Sequence, residues 1–128
     1  MRGHVAVLTI TLVAACSTPS EVCEPLSTDC APEYEPTFDN IHSRTVTPGC
    51  AISGASCHAT ADSSGGFSLA QIEDAYSALS RRGEDSDCGV LASRITSDNA
   101  SRQMPPGMPL SEGEQCAILQ WIEAGTPR

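Results

Sequence analysis

Apolar and polar positions along the chain resolve into one leading apolar run and three striped segments. The run extends from Val5 to Ala15 behind Met1-Arg2-Gly3-His4. As a helix it would reach only roughly 16 Å, about half of a bilayer core, so it predicts an export signal rather than a membrane span. The first stripe, Thr37 to Val46, places Phe38, Ile41 and Val46 on one side. Thr37 is a natural N-cap there, and Pro48-Gly49 a stop. The second, Ser68 to Ser80, repeats Leu69, Ile72, Tyr76 and Leu79 at three and four residues. Ser68 and Gln71 give it a capping-box pattern, and Gly83 follows as a stop. The third, Glu112 to Ala124, buries Ala117, Ile118, Trp121 and Ile122. Ser111 and Glu114 repeat the capping box, and Gly125 stands at the C-terminal cap.

Between the stripes lie turn-rich connections. Asp62-Ser63-Ser64-Gly65-Gly66 is a loop, and residues Cys88 to Leu91 could start a short helical turn. Met104-Pro105-Pro106-Gly107-Met108-Pro109 must cross in extended form, because its prolines lack donors. No segment alternates as a strand does, and no internal repeat is present. The expected class is all-α with long loops.

Composition divides the chain further. From Cys16 to Pro36, Ser, Thr, Pro and Glu dominate and large apolar residues are few. Such a stretch buries too little to offset the entropy of ordering, and predicts a flexible tether. The expected division is therefore a signal peptide over 1–15, a tether over 16–36 and one small domain over 37–128. A domain of that size often needs staples or a cofactor. Its aromatic side chains are scarce: one Trp, two Tyr and two Phe in the whole chain. The formal net charge is −9, and the seven basic residues are all Arg. That balance argues against a nucleic-acid partner and favours a soluble acidic surface that attracts basic partners. There is no G-x-S-x-G, H-E-x-x-H or phosphate-binding Gly loop, so the chain is not expected to be an enzyme.

The chemistry gathers at cysteine, histidine and methionine. The seven cysteines are Cys16, Cys23, Cys30, Cys50, Cys57, Cys88 and Cys116. Leu12-Val13-Ala14-Ala15-Cys16 resembles the lipobox of bacterial lipoproteins, which are cut before the Cys and acylated on it. Giving Cys16 to lipid leaves an even set in a compartment that permits disulfides. Cys23 and Cys30 could close a local loop, and a Cys88–Cys116 bridge would staple the two best helices, although six cysteines allow fifteen pairings. Zinc is a weaker reading, since the thiols do not group in close pairs around a His.

Cys50 and Cys57-His58 stand apart. A helix, then Cys…Cys-His, a Gly-rich loop, a helix, Met104-Pro105 and a last helix ending Gln120-Trp121-Ile122-Glu123-Ala124-Gly125 together resemble small c-type cytochrome domains of secreted or lipid-anchored bacterial proteins. The resemblance implies covalently attached haem c, with Cys50 and Cys57 as attachment points. It implies His58 as the proximal and Met104 as the distal iron ligand, with His42 and Met108 as spares. It also implies electron transfer with a redox protein partner, and a lipid-anchored location facing the periplasm or cell surface. The departure is spacing: six residues separate Cys50 from Cys57, and Gly54 stands where the usual C-x-x-C-H places its first Cys. The insert could bulge, Cys57 could attach alone, or Cys50 and Cys57 could form a disulfide in a haem-free lipoprotein module with a structural or binding role.

Overall fold

A computed structural model describes residues 27–52, 57–62, 64–83 and 89–128. The expected signal peptide, Cys16, Cys23 and Cys88 lie outside these residues. The described part is all-α, with no strand among its residues. Four α-helices follow in order: α1 Phe38–Ile41, α2 Ile72–Gly83, α3 Val90–Ile95 and α4 Glu112–Glu123. α1 continues directly into a π-helical segment, His42–Cys50, and a single 3-10 turn covers Ser64–Gly66. α1 packs on α4, α2 on α3, and α3 on α4.

α4 matches its sequence pattern most closely, because local interactions determine both of its ends. Ser111 Oγ accepts from Glu114 N–H while the Glu114 carboxylate accepts from Ser111 N–H, completing the capping box. At the other end Gly125 takes φ +85°. Thr126 N–H donates to Trp121 C=O and Gly125 N–H to Ile122 C=O, the two bonds of a Schellman turn. Trp121 is fully buried between its neighbours, with Phe38 at 5.4 Å and Tyr76 at 6.5 Å between ring centroids. Three of the five aromatic residues thus meet at one point, where α1, α2 and α4 cross.

The other two stripes depart from their expected limits. Thr37 caps α1 as expected, its hydroxyl accepting from Asn40 N–H. The helix does not stop at Pro48, however; it widens and runs on to Cys50, where Ala51 N–H reaches five residues back to Val46 C=O. Ser43 Oγ donates to Asp39 C=O inside the first turns, a competing bond that loosens α-helical register. α2 begins four residues later than expected. Ser68 Oγ donates to Ala59 C=O and Leu69 N–H to His58 C=O, so both residues are committed to the preceding loop rather than to a helix start. Gly83 ends α2, and a Cβ there would come within 2.9 Å of Thr126 Cγ2, so the helix end docks closely against the C-terminal tail.

Residues from Thr28 onward, expected in the tether, lie along α4. Gln120 Nε2 donates to the carbonyls of Thr28 and Cys30, Glu33 N–H donates to Gly113 C=O, and Tyr34 is buried. A Cβ at Gly113 would stand 2.8 Å from Glu33 Cβ, so only glycine admits the strand of chain at this distance. Cys30 is bonded to Cys116 across 86 residues. The expected Cys23–Cys30 and Cys88–Cys116 pairings are therefore replaced. Burial of Tyr34 and the ladder to α4 bring Cys30 to the first turns of α4, where Cys116 points back.

The disulfide should dominate the stability of this small domain. A loop of 86 residues corresponds to roughly 4 to 5 kcal/mol in the chain-entropy account. A non-reducing digest should yield one peptide joining Cys30 to Cys116. The Cys30→Ser/Cys116→Ser double variant should lose about that amount in urea unfolding.

Candidate functional site

The site is built on the chain's return from the π segment. His58 N–H donates to Cys50 C=O at 2.9 Å, so the two ends of the six-residue insert are hydrogen-bonded to each other. Residues 53–56 of that insert lie outside the described residues. Leu69 N–H in turn donates to His58 C=O at 2.7 Å. His58 is therefore held by backbone bonds on both sides before its ring makes any contact. The ring stacks on Phe67 with centroids 4.2 Å apart and planes inclined by 17°, and the Arg82 guanidinium lies 3.9 Å over the far face of Phe67. Gly65, at φ +81°, makes room: a Cβ there would come within 2.7 Å of Phe67 and 3.4 Å of His58. The Gly-rich loop is thus a seat for two rings.

Cys50, Cys57, His58 and Met104 all line one cavity of about 380 Å³. That volume lies in the range of small-ligand sites. Most of the remaining wall is carbon, from Phe67, Leu69, Leu79, Leu91, Ile95 and Pro105. Cys50 and Cys57 are both free thiols. Burial pushes the Cys50 thiol up to about 11, with Glu114 and Cys57 adding to the shift. Met104 reaches the cavity from the Pro-rich loop. Its N–H donates to Arg94 C=O at the end of α3, and Arg94 reaches back to Arg102 C=O. A Cβ added at Gly49 would lie 3.6 Å from Pro105 Cγ, so the end of the π segment and the methionine loop run close to each other.

The spare ligands of the sequence reading are elsewhere. His42 does not line the cavity; its Nε2 is 3.1 Å from Leu69 C=O. Met108 is 59% exposed and also outside the cavity. Arg82 and Arg94, which sequence reasoning passed over, do line it. Their positions in the last turns of two short helices gave no local signal.

The donor set decides what such a site could hold. Among the described residues no group of three His, Cys, Asp or Glu could hold a metal ion. One imidazole and one thioether are too few for a bare ion, but they suit an iron whose other ligands come from a macrocycle. The two thiols beside them suit covalent attachment of that macrocycle, and the apolar wall suits its faces. The residues present fit haem.

Two outcomes follow from this geometry. Gly65→Ala and Gly66→Ala both place a side chain at positive φ, a cost of about 1 to 2 kcal/mol. Only Gly65→Ala also drives a methyl into Phe67, since nothing lies within 4 Å of a Cβ at Gly66. Urea unfolding should find Gly65→Ala less stable than Gly66→Ala by a further 1 to 3 kcal/mol or so. Equal losses would mean that the ring seat is slack. The second outcome concerns Cys50 in haem-free protein carrying Cys57→Ser. Its folded pKa lies above the ordinary value of 9.0, so the folded state holds its proton more tightly. The stability this contributes is present below pH 9 and is lost as pH rises toward 11. Alkylation of Cys50 by iodoacetamide, followed by mass spectrometry, should be slow at pH 8 and accelerate through pH 11.

Residues 55–107 match the family described as Planctomycete cytochrome C. The matched stretch contains Cys57, His58, the Gly65 seat, α2, α3 and Met104, and begins after Cys50. No curated protein and no solved structure matches the chain. The match, together with the all-α architecture, supports a cytochrome c-like domain.

Proposed function

We propose that this protein is an electron carrier: a lipid-anchored domain outside the cytoplasm with one covalently attached haem c. The observation that carries this reading is the convergence of Cys50, Cys57, His58 and Met104 on one apolar cavity. When bound, the haem supplies one-electron exchange at its iron, at a potential that His/Met ligation raises. The chain's own task is to bind, orient and exclude water. Cys50 and Cys57 would hold the macrocycle, and His58 and Met104 the iron. The His58 N–H bond to Cys50 C=O supports attachment at both cysteines despite the long spacing, because it keeps the two ends of the insert together. Phe67, packed on one face of the imidazole, restricts rotation of the ring. The bond from Met104 N–H to Arg94 C=O holds the methionine loop, so a weak sulfur ligand would need little further ordering.

In this reading the mature chain begins at a diacylated Cys16, since two acyl chains give stable anchoring where one is marginal. The segment after it spaces the domain from a bacterial membrane, facing the periplasm or cell surface. The acidic balance of sixteen carboxylates to seven arginines suits a basic redox protein partner. The carrier turns over no substrate of its own. A haem-free module held by three disulfides draws less support, because Cys50 and Cys57 are free thiols on the cavity wall.

Expression with a haem-maturation system should give coloured protein whose haem stays attached after denaturation. Colourless protein with two free thiols would end this reading. In the coloured protein, Met104→Ala should lower the reduction potential and abolish the sulfur-to-ferric-iron band, while Met108→Ala should leave both unchanged. Loss of the band in Met108→Ala alone would exchange the two roles.

A further inference from the structure

Two cations stand on the wall of a cavity that is otherwise mostly carbon and sulfur. Arg82 comes from the last turn of α2 and Arg94 from the last turn of α3, and both line the cavity, where no carboxylate is found among the described lining residues. Each spends one nitrogen on a carbonyl: Arg82 Nη1 donates to Ala78 C=O at 2.8 Å and Arg94 Nη1 to Arg102 C=O at 3.3 Å. A guanidinium carries five N–H donors, so most of each fork remains available. Arg128, by contrast, bridges Asp39 and Glu73 at the surface. Burial lowers the pKa of Arg82, and Arg81 adds to the effect. A nearby anion would act the other way.

This placement runs against the charge of the whole chain. At net −9 the protein repels anions at long range, yet it turns two of its seven arginines toward one apolar cavity. Arg82 is also fixed in direction, since its guanidinium is stacked on Phe67 behind the His58 ring. Guanidinium forks match carboxylates in shape as well as charge. The cavity therefore selects a ligand with a broad apolar body and carboxylates at its edge.

We propose that Arg82 and Arg94 bind the carboxylates of the ligand in this cavity, and, resting on the haem reading above, that those carboxylates are the two haem propionates. The arginines recognise the free acid and orient the macrocycle edge toward the ends of α2 and α3, whereas the cysteines attach it.

The test separates recognition from attachment. The full chain carrying Cys50→Ala and Cys57→Ala would be titrated with ferric haem and with ferric haem dimethyl ester, followed by absorbance. The ester keeps the macrocycle and iron but has no carboxylate charge. Haem should bind more tightly than the ester, by about tenfold for each arginine engaged. Arg82→Gln/Arg94→Gln should weaken haem to the level of the ester and leave the ester unchanged, and Arg82→Lys/Arg94→Lys should restore part of the preference. Equal affinity for haem and ester in the arginine-containing chain would overturn the proposal while leaving haem binding intact; that comparison needs no arginine variant to fold. Binding of neither ligand would overturn both this proposal and the haem reading beneath it.

Discussion

Trp121 is the contact on which the other elements converge. Its indole is fully buried, its ring faces Phe38 and Tyr76, and its Nε1–H donates to Pro127 C=O at 2.8 Å. Its own carbonyl accepts from Thr126 N–H in the turn that ends α4. Tyr76 OH donates to Thr126 C=O, so the tail also reaches α2. A single large side chain thereby joins three helices and the C-terminus. Aromatic side chains supply more buried area per residue than any other type, and clustering the few available ones makes a small core sufficient. The opposite end of α4 is held by covalent constraint instead, through the disulfide to Cys30 and the polar network of Tyr34, Thr45, Glu114 and Ser111.

Concentrating the aromatics on one side leaves the other side of the domain unfilled. There the stacked Phe67 and His58 rings join aliphatic residues, sulfur, proline and two arginines in a wall that surrounds a cavity rather than a packed core. Packed interiors hold few voids, and side chains that line one lose contact partners. A ligand of the right shape would replace those contacts. Stability and ligand binding are then parts of one arrangement: the helices that pack against Trp121 also carry the cavity wall at their other ends.

The charges divide in a similar way. Arg128 lies on the outside, with Asp39 and Glu73 as partners and the rings of Phe38 and Tyr76 beneath it. Arg82 and Arg94 face the cavity. Arg44, Arg81 and Arg128 are exposed, so only part of the positive charge is turned toward the cavity.

The parts of this protein that could be read from residues alone are those governed by neighbours in sequence. The capping box of α4, its Gly125 turn and the Thr37 cap all rest on bonds spanning a few residues. The roles assigned to Cys57, His58 and Met104 rested on order along the chain; the structure places these three on the cavity wall and Met108 outside it, and the roles themselves belong to the proposal. What depended on distant partners was not legible. Cys30 bonds Cys116 because buried Tyr34 and the contacts of Glu33 carry the chain back along α4, a consequence of packing that cysteine spacing does not encode. Ser68 has the sequence of a helix cap but gives its hydroxyl to Ala59, and His42 faces the carbonyl of Leu69. Arg82 and Arg94 look like ordinary surface residues in a linear reading. Only the packing of α2 on α3 puts both on one wall, because the two arginines belong to different helices and the contact between those helices is not encoded in either one.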